Sequence, residues 1–503
     1  MNDNANAAHD AKCAAVITQI QSRGRSRVAM SSNGRVGHCV RPNSWKNDCW
    51  LIDISNLNKV LSINVAQQTC VVETGITFEN LCQYLLPLGF LPLVIPEFKN
   101  ITVGGAINGL GVESSSFRHG LFEDSVLGVK IVTGNGKIIR ASKSSSSDLF
   151  YGMFGSYGSM GVLVSAEIRL MPATSSVRIT YQQMYGASVL EQVATEQWWA
   201  NGEEKDADFC EAIMYGKEHV VVIRADFVNG KDNDNPDVHS VVVAPSRLGC
   251  WWNDMSHWRF WWGRWFYQHA EQRQEEEIVP TLDYLFRHDR GIFWCAQVRG
   301  VGVSLCERIL MGWYWSSSTA YKAEHLSKSN NDFFRVVQDI AIPVSKQRLQ
   351  RFLLFLDNSL HLYPLWLCPI RNVTTKTKTK VKKIFSLPEI TDEEVCEEEW
   401  YVNVGIYGAP TSWDGRPFHM SYVTAHRALE DTTRRLKGRK GLYSTSYYSR
   451  SEFEREYDVK RAHDVRRKYF ADQCFVDVFT KCCEPVVPSN RSTKVRKKLE
   501  EKI

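Results

Sequence analysis

The sequence predicts an α+β fold: an alternating strand–helix domain over residues 1–173, a mixed α+β second domain over 174–484 and a basic tail over 485–503. Three observations support it. At 503 residues the chain exceeds the size at which one hydrophobic core keeps growing. Its 44% hydrophobic and 23% charged residues are ordinary for a folded protein. Pro172 then separates a region where short strands alternate with helices from one of longer two-faced strands.

In the first region Cys49 to Asp53 and Cys70 to Glu73 read as strands. Phe78, Leu81, Leu85 and Leu88 fall at helical spacing and stop at Gly89, as a helix C-terminus should. Val126 to Val132 and Ile138 to Ala141 flank Gly134-Asn135-Gly136, a hairpin signal. Asp148 to Phe154 reads as helix and Val162 to Met171 as strand, which makes this an α/β domain. Beyond Pro172, Val177 to Tyr181 and His219 to Asp226 read as strands, with Asp332 to Ile340 and Lys346 to Ser359 as helices. Arg371 to Thr391 is a Lys/Thr-rich insertion, read as an exposed loop.

Residues 101–120 hold five glycines, a threonine and three consecutive serines. Glycine lets a backbone approach a ligand closely, and successive amides and hydroxyls in such a loop can surround a diphosphate. Thr102, Val103, Gly104, Gly105, Ala106, Ile107, Asn108, Gly109, Leu110, Gly111, Val112, Glu113 and Ser114 are the residues expected at that ligand, with Ser115 and Ser116 extending the array. Glu113, an acid in an anion-binding loop, is expected to turn away, toward a ribose hydroxyl, Arg118 or a structural ion pair. Gly155, Gly158 and Gly161 imitate a dinucleotide fingerprint but precede a strand instead of opening a helix, so that reading fails its context. With Ser156 they are expected to pass close to the ligand.

Other classes are excluded. The net charge of +5 is concentrated in Arg23 to Arg41, Thr374 to Lys383 and Arg491 to Lys498, so no broad nucleic-acid footprint exists. The 14 cysteines include no Cys-x-x-Cys, which leaves metal ribbons and dithiol redox sites without support. The N-terminal residues are polar, unlike a signal peptide, and no apolar run reaches the length of a spanning helix. No metal site is expected.

The loop at Thr102 to Gly109, followed by Asp148 to Leu170 with its glycine run, resembles the FAD domain of the vanillyl-alcohol-oxidase (PCMH) type. Gly109 to Phe122, Arg287 to Trp294, Tyr363 to Pro369 and Val404 to Pro410 resemble, in the same order, the delta-24-sterol reductases of the seladin/diminuto group. That resemblance runs from about residue 20 to 483. It implies a two-subdomain FAD-binding domain with an α+β substrate cap, FAD and NADPH as cofactors, and a sterol substrate. The departures are a poor match at Arg35 to Arg41, where the family's first diphosphate loop falls, the Lys/Thr insertion, and the expected lack of the apolar anchor helix usual in that group. His38 and His119 sit in no pattern for covalent flavin attachment, so dissociable FAD is expected.

Reduction of an isolated trisubstituted alkene, the reaction so implied, requires a proton donor in a dry pocket beside the flavin. Tyr407, Tyr363, His288 and Tyr447 are the candidate donors. Tyr407 is preferred because it stands between Gly405 and Gly408 in an apolar strand; the competing reading is a hydrogen-bonded core tyrosine. Six tryptophans and several basic residues within Cys250 to Tyr267 have the composition of a membrane-interface segment or of a sterol-lining cap core. The expected location is the cytosol or, peripherally, the cytoplasmic face of the endoplasmic reticulum. Two other functions share these signals: an alcohol or sugar-lactone oxidase of the same fold, and a non-catalytic sterol-binding protein.

Overall fold

The computed structural model describes residues 2–31, 37–41, 43–200, 207–228, 265–298, 316–326, 336–344, 347–373, 383–387, 400–408 and 422–484. A 20-residue helix, Asn2–Gln21, opens the chain and buries Cys13, Val16 and Ile20. Its Lys12 Nζ lies 2.7 Å from the buried carboxylate of Glu73. Strands β1 (Arg27–Ser31) and β2 (Cys49–Asp53) form a parallel pair.

The first large sheet has the order β3-β4-β8-β6-β7, with β5 also on β8. These strands are Val60–Asn64, Thr69–Glu73, Phe90–Pro92 (β5), Val126–Val132 (β6), Ile138–Ser142 (β7) and Val162–Pro172 (β8). The strand–helix alternation suggests parallel crossovers, yet every pair in this sheet is antiparallel. Helix Phe78–Leu85 runs on through a 3-10 turn to Leu88, and Gly89 ends it in the left-handed region at φ 82°.

The second sheet has the order β12-β9-β11-β10-β14-β15-β13-β16. Its strands are β9 (Ser176–Tyr185), β10 (Phe209–Gly216), β11 (His219–Phe227), β12 (Glu277–Pro280), β13 (Val336–Pro343), β14 (Leu365–Arg371), β15 (Trp400–Gly408) and β16 (Arg439–Lys440). The expected helix at Asp332 to Ile340 is corrected by β13. Val336, Ile340 and Ile342 are buried on one face and Ala341 on the other, so no period-two alternation marks the segment. Lys346 to Ser359 does contain a helix, Arg348–Phe355.

The two faces of this sheet do different work. Leu365, Leu367, Val402, Val404 and Ile406 pack with helix residues Phe352, Leu353 and Leu429 in one core. The alternate residues Trp366, Cys368, Tyr401 and Tyr407 join the core of the first sheet, with Val72, Ile131 and Leu163. The functional face is therefore the face turned toward the first domain. Residues 450–484, read as part of the cap, also bind the first domain: Val28 N donates to Cys474 O at 2.7 Å, and Arg466 Nη1 donates to Ser159 O.

Of the Trp-rich segment, 250–264 lie outside the described residues; Trp265, Phe266 and Tyr267 are buried. The basic tail and residues 374–382 and 388–391 of the insertion also lie outside them. At the insertion's described end, Lys383 Nζ is anchored at 2.6 Å from Glu123 and 2.8 Å from Asp124. Among the described residues no helix is long and apolar enough to cross a membrane, and no side-chain group could hold a metal ion.

Candidate functional site

A cavity of about 730 Å³ lies between the functional face and the glycine loop. Thr102 caps the short helix Val103–Asn108 by accepting from Gly105 N at 3.0 Å. Thr102, Gly104, Gly105, Ala106, Asn108, Gly109, Leu110, Val112 and Gly158 line the cavity. Val103 and Ile107 face the core instead. Gly104 is there for close approach: a Cβ would come within 3.0 Å of Thr74 Cβ and O. Gly111, Gly155 and Gly161 stand behind the wall; a Cβ on Gly111 would fall 2.6 Å from Phe122 Cβ.

The expected array of amides and hydroxyls needs correction, because the fold consumes most of it. Val103 N donates to Ile76 O, Gly104 N to Thr74 O and Ala106 N to Thr102 O. Ser115 Oγ donates to Leu93 O, and Ser116 Oγ accepts from Glu113 N. Ser114 Oγ accepts from Arg287 Nη2 at 3.3 Å, and Ser156 Oγ donates to Asn108 Oδ1. Of the alternatives for Glu113, the structural ion pair is the one present. Glu113 receives Arg287 Nη2 at 2.6 Å, while Arg118 pairs with Asp208 at 2.7 Å.

The charge at this end of the cavity comes from elsewhere. Arg41 and Lys46 line it, and Lys481 lies beside them with its Nζ 4.9 Å from the Trp45 ring centre. Arg41 Nη1 donates to Lys481 O, its guanidinium lies 4.7 Å from the Tyr157 ring centre, and its buried Nε has no acceptor among the described residues. No carboxylate pairs with Arg41, Lys46 or Lys481 among those residues. Burial, and then the charge of Arg41, push the Lys481 ammonium down to about 7. A buried N–H without an acceptor, in a group of cations beside side-chain-free wall, suits a diphosphate.

The opposite end is aromatic. Phe293 stands 4.8 Å from Tyr407 and 5.1 Å from Trp366 between ring centres, with Phe98 at 6.0 Å. Ile292 and Phe293 hold φ values of 48° and 56°, two consecutive left-handed residues without glycine's freedom. Behind the rings, Arg287, Glu211, His288 and Trp366 form a closed network. Arg287 lies 2.8 Å from Glu211, and Trp366 Nε1 donates to Glu211 Oε2 at 2.7 Å. Although burial opposes it, Arg287 and His288 hold the Glu211 carboxyl well below its usual range.

Tyr407 is on the cavity wall. In the register of β13 with β15, Asp339 lies opposite Gly405. The Tyr407 ring folds back across Gly405, and its hydroxyl donates to Asp339 Oδ1 at 2.9 Å. Asn403 Nδ2 donates to the same oxygen at 2.7 Å, and Tyr443 OH to Oδ2 at 2.6 Å. Tyr363, His288 and Tyr447 are away from the wall. Tyr363 OH donates to Asp357 at 3.1 Å, and Tyr447 packs against Tyr422 and His426. His288 Nε2 lies 3.2 Å from Glu211, and burial pushes its imidazole down to about 4, so it is neutral. His38 lines the cavity and His119 does not.

Sequence reasoning reached Arg41 only as the end of a poorly matching diphosphate loop, and missed Lys46, Glu97, Asp339, Tyr443 and Phe293. They converge from four separate stretches of chain, near residues 41–46, 97, 293–339 and 443, so no local spacing marks them.

The FAD binding domain family matches residues 6–142. A Delta(24)-sterol reductase homolog of Caenorhabditis elegans is 28% identical over 479 residues, covering 91% of this chain and 84% of its own. The Delta(24)-sterol reductase of Homo sapiens is 29% identical over 439 residues (85% and 77%), and that of Pisum sativum 25% over 505 (94% and 84%). The resemblance to the delta-24-sterol reductases holds over most of the chain, and the α+β architecture carries an FAD-binding domain of the PCMH type.

Proposed function

We propose that this relative of the Delta(24)-sterol reductases is an FAD-dependent, NADPH-driven reductase of the delta-24 double bond in a sterol side chain. One observation carries the reading: a single cavity joins a cationic, glycine-walled end to an aromatic end containing the acids Glu97 and Asp339. When bound, FAD supplies hydride transfer, taking reducing equivalents from the nicotinamide donor. Arg41 and Lys46 would hold its diphosphate, supported by Lys481, with Thr102, Gly104, Gly105, Asn108 and Gly158 as wall. No covalent attachment is proposed.

The remaining chemistry belongs to the chain. Phe98, Phe293, Trp366 and Tyr407 exclude water and accept an apolar side chain. Their π faces favour positive charge developing on the tertiary carbon when the other alkene carbon is protonated. Residues 1–173 provide the FAD domain and 174–484 the cap, whose last segment returns to the first domain. Peripheral contact with the endoplasmic reticulum through 250–267 would deliver the sterol.

The test is anaerobic. The flavin is reduced with NADPH, a side-chain-unsaturated sterol is added, and the visible absorbance and sterol products are followed. Reoxidation with formation of saturated sterol is the expected outcome. Failure of every such sterol to reoxidise the flavin, with oxygen uptake on polyols, would instead identify an oxidase.

A further inference from the structure

We propose that Glu97 is the proton donor to the alkene, an inference that rests on the reductase reading and names the acid it requires. The aromatic end of the cavity presents Tyr407, Tyr443, Asp339 and Glu97, with His38 and Tyr321 packed against Phe98. The first two have their hydroxyl protons directed at Asp339, at 2.9 and 2.6 Å. Burial raises both phenols well above their usual range, which makes them weaker acids still. Asp339 accepts from three donors on its two oxygens, the arrangement that satisfies an ionised carboxylate. Burial raises the Asp339 carboxyl above its usual range, but these three donors oppose the rise, and Glu97 has no such set.

Glu97 differs in its surroundings. It lies in the loop between β5 and the Thr102 cap, beside Phe98, and lines the cavity. Its carboxyl accepts from its own backbone N–H, and no side-chain donor among the described residues reaches it. Glu97 is half-buried, and an apolar ligand seated in the cavity would take the remaining water from its carboxyl. Burial, and then the charges of Glu113 and Asp339, hold the Glu97 carboxyl well above the usual carboxylate range, against the opposing charge of Arg287. Arg287 cannot rescue the anion directly, because its nitrogens are engaged with Glu113, Glu211, Ser114 and Tyr284 O. Glu97 is thus the carboxyl on this wall that keeps its proton most readily, and it remains a stronger acid than either phenol.

The step balances as follows. The Glu97 O–H bond breaks and a C–H bond forms at the less substituted alkene carbon. The tertiary carbon takes the hydride that a bound, reduced flavin supplies. The Glu97 carboxylate then recovers a proton from water once the saturated product leaves.

The experiment compares Glu97→Gln, Glu97→Asp and Tyr407→Phe in the flavin-loaded protein by anaerobic stopped flow. In Glu97→Gln, sterol-driven reoxidation should fall by roughly 10²-fold or more relative to flavin reduction by NADPH, the contribution of a general acid. Glu97→Asp should recover part of it, and Tyr407→Phe should lose less than about tenfold. Infrared spectra of the resting protein provide a readout independent of turnover: a protonated-carboxyl band present in wild type should be missing in Glu97→Gln. In wild type the sterol step should slow as pH rises through the Glu97 pKa, the surrounding groups being Glu113, Asp339, Arg287, Tyr407 and Tyr443, with His38 and Tyr321 against Phe98. Wild-type reoxidation rates in both Glu97 variants, or a loss confined to Tyr407→Phe, would overturn the assignment. If wild type itself is not reoxidised by sterol while its protonated band maps to Glu97, the reductase reading fails and the protonated acid stands.

Discussion

Gly405 decides where Tyr407 lies. On a strand, residues i and i+2 share a face, and any side chain at 405 would occupy the space now filled by the Tyr407 ring. A Cβ there would fall 2.6 Å from the Tyr407 hydroxyl and 2.8 Å from the ring carbon that bears it. Gly405→Ala should therefore push the ring off Asp339 and destabilise the protein by about 1–3 kcal/mol. Tyr407→Phe leaves the ring in place and removes one charge-assisted hydrogen bond, for a loss of about 1.5–3 kcal/mol. If the glycine acts through the tyrosine, the double variant should lose clearly less than the sum, as measured by urea denaturation. Strict additivity would show that Gly405 serves some other contact. The Gly405-x-Tyr407 spacing was legible in the sequence, but the tyrosine's partner was not: Asp339 lies 68 positions before Tyr407, on a strand whose two buried faces hide its period.

Elements divide in the same way. The helix at 78–85 and strand β8 were legible because one face repeats at the right period, and Gly89 marks a left-handed end. The glycine loop was legible as a cavity wall and misread as a donor array, because composition does not reveal which amides the fold has already bonded. The loop's own stability rests on Thr102, whose hydroxyl caps Val103–Asn108 and whose carbonyl accepts from Ala106 N. Thr102→Ala removes the cap and should cost about 1 kcal/mol, whereas Thr102→Ser should cost little. Because the capped turn is also cavity wall, the alanine variant should be purified with less flavin. Thermal melts with and without added FAD test this. An alanine variant equal to wild type in both respects would mean that Gly105 N finds another acceptor at no cost.

At the scale of the whole molecule, the cationic end of the cavity exists because two distant regions of the chain meet. Arg41 and Lys46 come from one region of the chain and Lys481 from another, held by Arg41 Nη1 on Lys481 O and by Lys481 Nζ on Tyr157 O at 2.9 Å. No local spacing could announce such a group. Its physical signature is the Lys481 ammonium, pushed down to about 7 from 10.5 by burial and by Arg41. Between those values the unfolded chain binds more protons than the folded one. The stability of the flavin-free protein should therefore rise as pH increases from about 7 to 10.5, by up to about 1.4 kcal/mol per pH unit. A diphosphate beside Arg41 restores the charge on Lys481, so flavin binding should take up a proton and weaken as pH rises above about 7. Lys481→Met should remove both dependences while keeping the packing of the stem. Comparing the pH dependence of denaturation and of flavin affinity in the two proteins isolates this lysine from the other titrating groups. Parallel profiles would show that Lys481 keeps an ordinary charge and that the cationic end acts through Arg41 and Lys46 alone.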